Sequence, residues 1–511
     1  MRILSTEQMR AAEHASLSQG LTFLRLMENA GTGAYKIISE REGDLTGKRC
    51  VVLCGAGNNG GDGFVTARQL ARDGAAVSCV LAAGPPRSDE AREMLRLLQG
   101  EPISILRLED SRPTVNLLLV ESDIIVDALF GTGFHGALPD GCGFVAEMAN
   151  LSKGRVYSLD IPSGMDADSG TVRGKCITAA CTIAFGCLKP AHAQPSAASL
   201  LGECVVCDIG ISDEIYAAVG SKTHLIDHAL VKGFLHPRRD DSYKGTFGRM
   251  LVAAGSMGMT GAAVLCARAA SRSGAGLVYV AAPKQIVPIL SSHLIEQVML
   301  PMPCTEEGVF SADAVAPIAA AAAEKDACVA GCGMKSTTDT RMVITSLLMH
   351  ANCPIVLDAD GINSIAGDID IVRQAAHGVV LTPHYGEFAR LTKLDTATIE
   401  QNRVQLATEY AERMGVTLVL KGAYTVVAQP DGSIYLANNP NSGLAKGGSG
   451  DVLAGLIAGL LAQGYSPRRA AVCGVYLHAR TAQLTAHRLC KATMQPSDVL
   501  DDLHRVFQEL I

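Results

Sequence analysis

The chain has no excess of basic residues. Its 44 Lys and Arg stand against 51 Asp and Glu, a formal net charge of −7. That balance argues against a nucleic-acid partner and leaves no basic patch for a membrane surface. No apolar stretch is long and uncharged enough to span a bilayer. A disulfide framework is missing too. The 16 cysteines include Cys50, Cys54 and Cys328 inside apolar runs that read as strands, where Cys acts as a small hydrophobe. Cys204-Val205-Val206-Cys207 has CxxC spacing but no second CxxC to complete a metal site, and its two valines favour a strand. The opening residues do not read as a signal peptide. Ser5 with Gln8 suits a capping box instead. A reducing cytoplasm is the expected setting.

What is present is a folded chain, 48% hydrophobic and 19% charged, rich in small residues. At 511 residues it exceeds the size at which one core usually keeps growing, so two domains are expected. Apolar runs of strand length at 49–54, 76–82, 124–128 and 155–160 alternate with loops and helical patterns, after helices over residues 5–40. The pattern weakens over residues 213–227 and then restarts, with strands expected at 249–254, 277–281, 327–330, 354–358, 379–382 and 416–420. The fold class is α/β: two parallel-sheet domains, over residues 1–215 and 222–511, with ligands at the carboxyl ends of the strands.

The loops at those ends carry the chemistry. After the first strand comes Gly55-Ala56-Gly57-Asn58-Asn59-Gly60-Gly61-Asp62-Gly63, expected as a glycine loop opening a helix. Asp127 and Ser163 stand at two further strand ends. Oxygen-only ligands from three such loops suit a hard cation. With one formal charge among Asn59, Asp127 and Ser163, the cation is monovalent rather than divalent. Asp160 could act as a general acid or base beside it. Turn-forming and capping are the plainer roles of these residue types. Near the other end, Lys446-Gly447-Gly448-Ser449-Gly450-Asp451 runs into an apolar helical pattern. Alone, it reads either as a phosphate cradle at a helix N-terminus or as an aspartate-capped buried helix.

Three motifs in order resemble the NAD(P)H-hydrate epimerase family: the stretch from Gly55 to Arg68, Asp127-Ala128-Leu129-Phe130-Gly131-Thr132-Gly133, and Asp160-Ile161-Pro162-Ser163-Gly164. The Met27-Glu28-Asn29-Ala30-Gly31 element also matches. The resemblance covers residues 1 to about 215. It implies a Rossmann-like fold and potassium at Asn59, Asp127 and Ser163. It also implies contact of hydrated NADH or NADPH with Asn58, Asn59, Gly60, Gly61, Asp62, Gly131, Thr132, Gly133, Phe134, His135, Gly136, Ala137 and Asp160.

From about residue 222 onward the chain resembles the ADP-dependent NAD(P)H-hydrate dehydratases, which have a ribokinase-like α/β fold. The matching motifs are Tyr243-Lys244-Gly245-Thr246-Phe247-Gly248, Ala253-Ala254-Gly255-Ser256, Thr382-Pro383-His384-Tyr385-Gly386-Glu387, Lys421-Gly422-Ala423-Tyr424-Thr425 and the Gly447 to Asp451 stretch. This resemblance implies nucleotide contacts at Lys421, Gly422, Ala423, Tyr424, Thr425 and Gly450. It implies hydrated-cofactor contacts at Ala262, Gly333, His384 and Asp451, with Asp451 as catalytic base and Mg2+ accompanying ADP. His478 reads as a core or interface residue on a helix.

The expected function is therefore a bifunctional repair enzyme, one domain interconverting the epimers of hydrated NAD(P)H and the other consuming one of them. A homo-oligomer is expected. Two other readings stay open at this point. One is a kinase of a small hydroxylated metabolite with a regulatory nucleotide-binding N-terminal half. The other is a partner-binding protein built on an inactive Rossmann domain.

Overall fold

The computed structural model describes residues 1–511. The chain divides into two compact units, Met1–Thr223 and His224–Ile511, the division falling inside the 213–227 stretch. No helix is long and apolar enough to cross a membrane.

The first unit holds seven parallel strands: β1 Arg49–Cys54, β2 Ala76–Leu81, β3 Ile103–Arg107, β4 Ile124–Ala128, β5 Arg155–Leu159, β6 Cys181–Phe185 and β7 Glu203–Cys207. Their order is β3-β2-β1-β4-β5-β6-β7. The continuous apolar runs are explained by burial on both faces. Cys50, Val52 and Cys54 pack with Leu26 of helix α2 (Phe23–Glu42) and Phe64 of α3 (Asn58–Arg72). Val51 and Leu53 point the other way, into a cluster with Val115 of α4 (Leu108–Glu121) and Val145 of α5 (Asp140–Leu151). Strand order reverses direction between β1 and β4, the position at which α/β sheets open a crevice. CxxC lies within β7, and Ser5 and Gln8 form the capping box of a helix over Thr6–Ser16.

The glycine stretch after β1 opens a helix, as expected, and α3 already begins within it, at Asn58. Its glycines serve packing. A Cβ on Gly60 would lie 2.1 Å from the Gly55 carbonyl oxygen, and one on Gly61 would lie 2.4 Å from Met27 Sδ. Close approach outweighs the poor helix propensity of glycine.

The second unit is built on β8 Arg249–Ala253, β9 Leu277–Pro283, β10 Val298–Met302, β11 Ala327–Ala330, β12 Ile355–Leu357, β13 Val379–Leu381, β14 Thr417–Leu420, β15 Val426–Ala428 and β16 Ile434–Leu436. They run in the order β16-β15-β14-β13-β12-β11-β8-β9-β10. The strands from β14 through β10 are parallel, and β14, β15 and β16 pair antiparallel. Strand β10 was not read from the sequence. It carries Pro301 and lies at the sheet edge, where a missing backbone donor is tolerated. Helix α8 (Ser449–Ala462) is buried along nearly its whole length against α6 (Thr260–Arg272). Gly455 and Gly459 make that possible: their Cβ atoms would come within 2.3 Å of the Cys266 carbonyl oxygen and 2.6 Å of that of Ala270.

Candidate active sites

In the first unit a cavity of about 830 Å3 opens at the carboxyl ends of β1, β4 and β5. Asn58, Asn59, Asp62, Gly131, Thr132, Gly133, Phe134 and Asp160 line it, together with Arg10, Glu13 and Lys189. Gly60 and Gly61 face their packing partners instead. His135 is exposed, its Nδ1 2.7 Å from Asp166 Oδ2, and neither it nor Gly136 nor Ala137 lines the cavity. Helix α3 meets the cavity with its N-terminus, capped by Gly57 without a side-chain acceptor, so first-turn amides are left to serve a ligand.

Asp160 is the centre of the site. It follows β5 with φ of 66°, the left-handed region that side-chain-bearing residues seldom occupy. Its Oδ1 is paired with Lys189 Nζ, and its Oδ2 accepts from Thr132 N–H at 3.3 Å. Asp62, on α3, is pushed well above the usual carboxylate range, first by burial and then by the charges of Asp160 and Glu13. Burial likewise raises Glu13. The cavity therefore combines a paired carboxylate with two carboxyls whose proton affinity is raised.

Asp127, at the end of β4, is fully buried. Its Oδ1 accepts from Ser163 Oγ at 2.6 Å and Leu129 N–H at 3.3 Å. Its Oδ2 accepts from Ser158 Oγ at 2.8 Å and Ser163 N–H at 2.9 Å. Asn59 donates through Nδ2 to the Leu159 carbonyl at 3.3 Å. A Cβ on Gly131 would lie 3.2 Å from Asp160 Oδ2 and 3.4 Å from Asn59 Oδ1, so glycine keeps open the space these two oxygens face.

In the second unit the strand ends gather a different set. Asp358, after β12, is 2% exposed and accepts from Thr382 Oγ1 at 2.7 Å and from Lys421 Nζ at 2.5 Å. Burial pulls the Lys421 ammonium toward neutrality, but Asp358 and Glu387 more than offset this and leave it raised. Asp451 sits in the first turn of α8. Burial, and next the charge of Asp358, push it up to about 6. One ligand atom each from Cys332, Asp358 and Asp451 lie within 4.8 Å of one another. A Cβ on Gly450 would be 3.1 Å from Lys421 Nζ, so the expected nucleotide residues Lys421 and Gly450 are neighbours. Thr425 Oγ1 closes the Gly422 to Thr425 turn by donating to the Gly422 carbonyl at 3.1 Å. Ala262 and Gly333 also adjoin: a Cβ on Gly333 would be 2.9 Å from that of Ala262.

His384 caps helix α7 (Tyr385–Thr392), its Nδ1 accepting from Gly386 N–H at 3.0 Å and Glu387 N–H at 3.3 Å. Its side chain remains 55% exposed. His478 is a buried residue of helix α9 (Pro467–Leu489). Lys189 and His192 are not among the residues expected from the sequence; they follow β6, a strand not expected there either. Asp358 is expected only as the end of a strand.

A family model described as NAD(P)H-hydrate dehydratase matches residues 250–505, and one described as YjeF-related protein N-terminus matches residues 24–191. Among curated relatives, the bifunctional NAD(P)H-hydrate repair enzyme Nnr of Moorella thermoacetica is 38% identical over 490 residues, covering 95% of this chain and 92% of its own. The protein of the same name from Escherichia coli K12 is 33% identical over 506 residues, with 97% and 92% covered. The solved structure of Bacillus subtilis YxkO is 31% identical, with a TM-score of 0.50, covering 56% of this chain and 99% of that one.

Proposed function

The chain belongs to the bifunctional NAD(P)H-hydrate repair enzyme family, an epimerase and a dehydratase in one polypeptide, and from that premise we propose how its residues divide the work. Epimerisation is assigned to residues 1–215 and dehydration to residues 222–511. The observation that carries this reading is that each unit gathers its own carboxyl groups beside a lysine, buried in the first unit and largely so in the second, at the carboxyl edge of its own sheet.

In the epimerase half, hydrated NAD(P)H carries a hydroxyl on a ring carbon next to nitrogen. Asp62, whose proton affinity is raised by desolvation and by the charges of Asp160 and Glu13, donates a proton to that hydroxyl. The C–O bond breaks, water leaves with the bonding pair, and the nitrogen lone pair forms a planar cation. Water returns to the opposite face and Asp160 accepts its proton. Exchange with solvent then resets both carboxyls. Potassium is proposed at Asn59, Asp127 and Ser163. The donors fit in kind, being oxygens with one formal charge, although the four bonds to Asp127 also make it the anchor of the Ser163 turn. A cation bound there supplies positive charge beside the carboxyl-lined cavity.

In the dehydratase half, ADP is the proposed donor, giving AMP and phosphate. Asp451 takes the proton of the ring hydroxyl as its oxygen attacks the terminal phosphorus. The amides of the Gly447 to Gly450 turn and the Lys421 ammonium steady the transferring charge. The phosphate ester then departs as inorganic phosphate, pushed by the ring nitrogen, and loss of the neighbouring ring proton restores NAD(P)H. Magnesium accompanying the nucleotide would supply charge neutralisation at the phosphates. A cytoplasmic setting and a homo-oligomeric assembly belong to the same proposal and are tested by fractionation and light scattering.

The test mixes both epimers of hydrated NADH with ADP or ATP, potassium and magnesium, and follows NADH absorbance with analysis of phosphate and nucleotide products. Full recovery of NADH with release of inorganic phosphate is expected. Asp160→Asn should leave one epimer unconsumed, and Asp451→Asn should leave both. A stable phosphorylated cofactor as the end product would sink this reading in favour of a kinase.

A further inference from the structure

We propose that Lys189 and His192 are positioning residues of the epimerase: together they hold Asp160 so that its Oδ2, and not its Oδ1, exchanges the proton with substrate. This rests on the reading of Asp160 as the proton carrier.

The two residues come from the turn that follows β6, the strand beside β5, which Asp160 follows. The Lys189 side chain is 1% exposed. A buried ammonium is costly unless its donors are used, and two are: one meets Asp160 Oδ1 and another the Phe185 carbonyl at 2.8 Å. Phe185 N–H also donates to Oδ1, at 3.4 Å. Oδ1 is thus taken, while Oδ2 meets only the long donation from Thr132 N–H and faces the gap kept open by Gly131.

His192 fixes the backbone. Its Nδ1 accepts from Lys189 N–H at 2.8 Å, so the ring proton lies on Nε2 and is donated to the Asp160 carbonyl at 3.0 Å. Burial, and then the Lys189 charge, push the imidazole down to about 4, which keeps it the neutral tautomer this bridge needs. One uncharged ring therefore ties the main chain of Lys189 to that of Asp160, whose left-handed conformation needs such support. In the transfer step an O–H bond of the returning water breaks, its electron pair stays on the oxygen joined to the ring carbon, and the proton forms a bond to Oδ2. No other reactant is required.

The experiment measures epimer interconversion in the full chain without nucleotide, so that the dehydratase is silent. Lys189→Met should lower kcat by about 100-fold with KM nearly unchanged, as expected when a reacting group is misaimed. The titratable and charged groups around Asp160 are Lys189 and His192 on the turn, Arg10 and Glu13 on the first helix and Asp62 on α3. Removing only the Lys189 charge should move the acidic limb of the rate profile to higher pH. His192→Ala should lower kcat by about 10-fold and leave that limb in place, because the ring is neutral above about pH 4. Lys189→Arg should recover part of the rate with the wild-type limb.

Wild-type kcat and pH profile in folded Lys189→Met overturns the proposal. Should that variant fail to fold by thermal unfolding, an unchanged kcat in His192→Ala overturns it instead. Asp160→Asn separates the two ideas. If it keeps the wild-type rate, the reading of Asp160 itself has failed. If it is inactive while Lys189→Met and His192→Ala are fully active, only the positioning proposal has failed.

Discussion

Lys421 Nζ lies 2.5 Å from Asp358 Oδ1, and the two side chains are 17% and 2% exposed. The ammonium proposed to meet the nucleotide is therefore held charged and aimed before any nucleotide arrives. Asp358→Asn leaves that buried ammonium without its counter-charge. Breaking a buried pair from one side costs about 3 kcal/mol, because the remaining charge stays desolvated. Urea unfolding at pH 7 should show a loss of that size in the second unit. A loss under about 1 kcal/mol would mean that Glu387, whose Oε2 is 3.9 Å away, takes over the pairing.

The same carboxylate tunes Asp451. With its proton lost only near pH 6, Asp451 should give the dehydratase an acidic limb with its inflection near that value, since the base must be ionised to act. Asp358→Asn removes the second cause of the shift, so the inflection should move to lower pH.

Stability follows with the opposite sense. Asp451 ordinarily titrates at 3.8 and in the fold at about 6, so between these values the folded state binds more protons than the unfolded one. Folding stability attributable to this group therefore falls as pH rises from about 4 to about 6 and stays lower above. Asp451→Asn should melt with wild type near pH 4 and above it at pH 7. Parallel melting curves across that range would refute the shift.

These relationships differ in how far the sequence revealed them. Strands such as Arg49–Cys54 were legible because burial on both faces writes an unbroken apolar run, and polar residues at their ends stood out against it. Helix α3 was harder. Its glycines imitate a loop, and only the contacts of Gly60 with Gly55 and of Gly61 with Met27 explain why a helix forms there. The pairing of Asp160 with Lys189 was out of reach, since 29 residues separate them and the alignment of Leu159 with Ile183 across two strands brings them together. No local pattern encodes that register.

Gly60 and Gly131 were both expected at the substrate, yet the structure gives them different tasks. A Cβ on Gly60 meets backbone, which cannot step aside. Gly60→Ala should cost about 1–3 kcal/mol, with epimerase activity following the folded fraction. A Cβ on Gly131 meets only the ends of the Asp160 and Asn59 side chains. Gly131→Ala should melt as wild type but lose about tenfold in epimerase kcat/KM, because it fills space that the reacting oxygen faces. Thermal unfolding beside steady-state kinetics distinguishes the two.

His384 tests whether one residue serves both fold and substrate. Its Nδ1 accepts the first-turn amides of α7, and Glu387 Oε2 accepts the His384 N–H at 2.8 Å in return. That reciprocal cap fixes Glu387 near Lys421. The exposed face of the ring is left for a ligand. His384→Ala should lose about 1 kcal/mol of stability with the cap. His384→Asn supplies a carbonyl oxygen for the same amides and should keep wild-type stability, while lacking the exposed imidazole ring, whose Nε2 lies 3.4 Å from Glu387 Oε1. If the exposed ring touches hydrated cofactor, His384→Asn will raise the dehydratase KM for hydrated NADH about fivefold at unchanged melting temperature, a loss of about 1 kcal/mol of binding. An unchanged KM in a fully folded His384→Asn would leave the histidine as a helix cap alone.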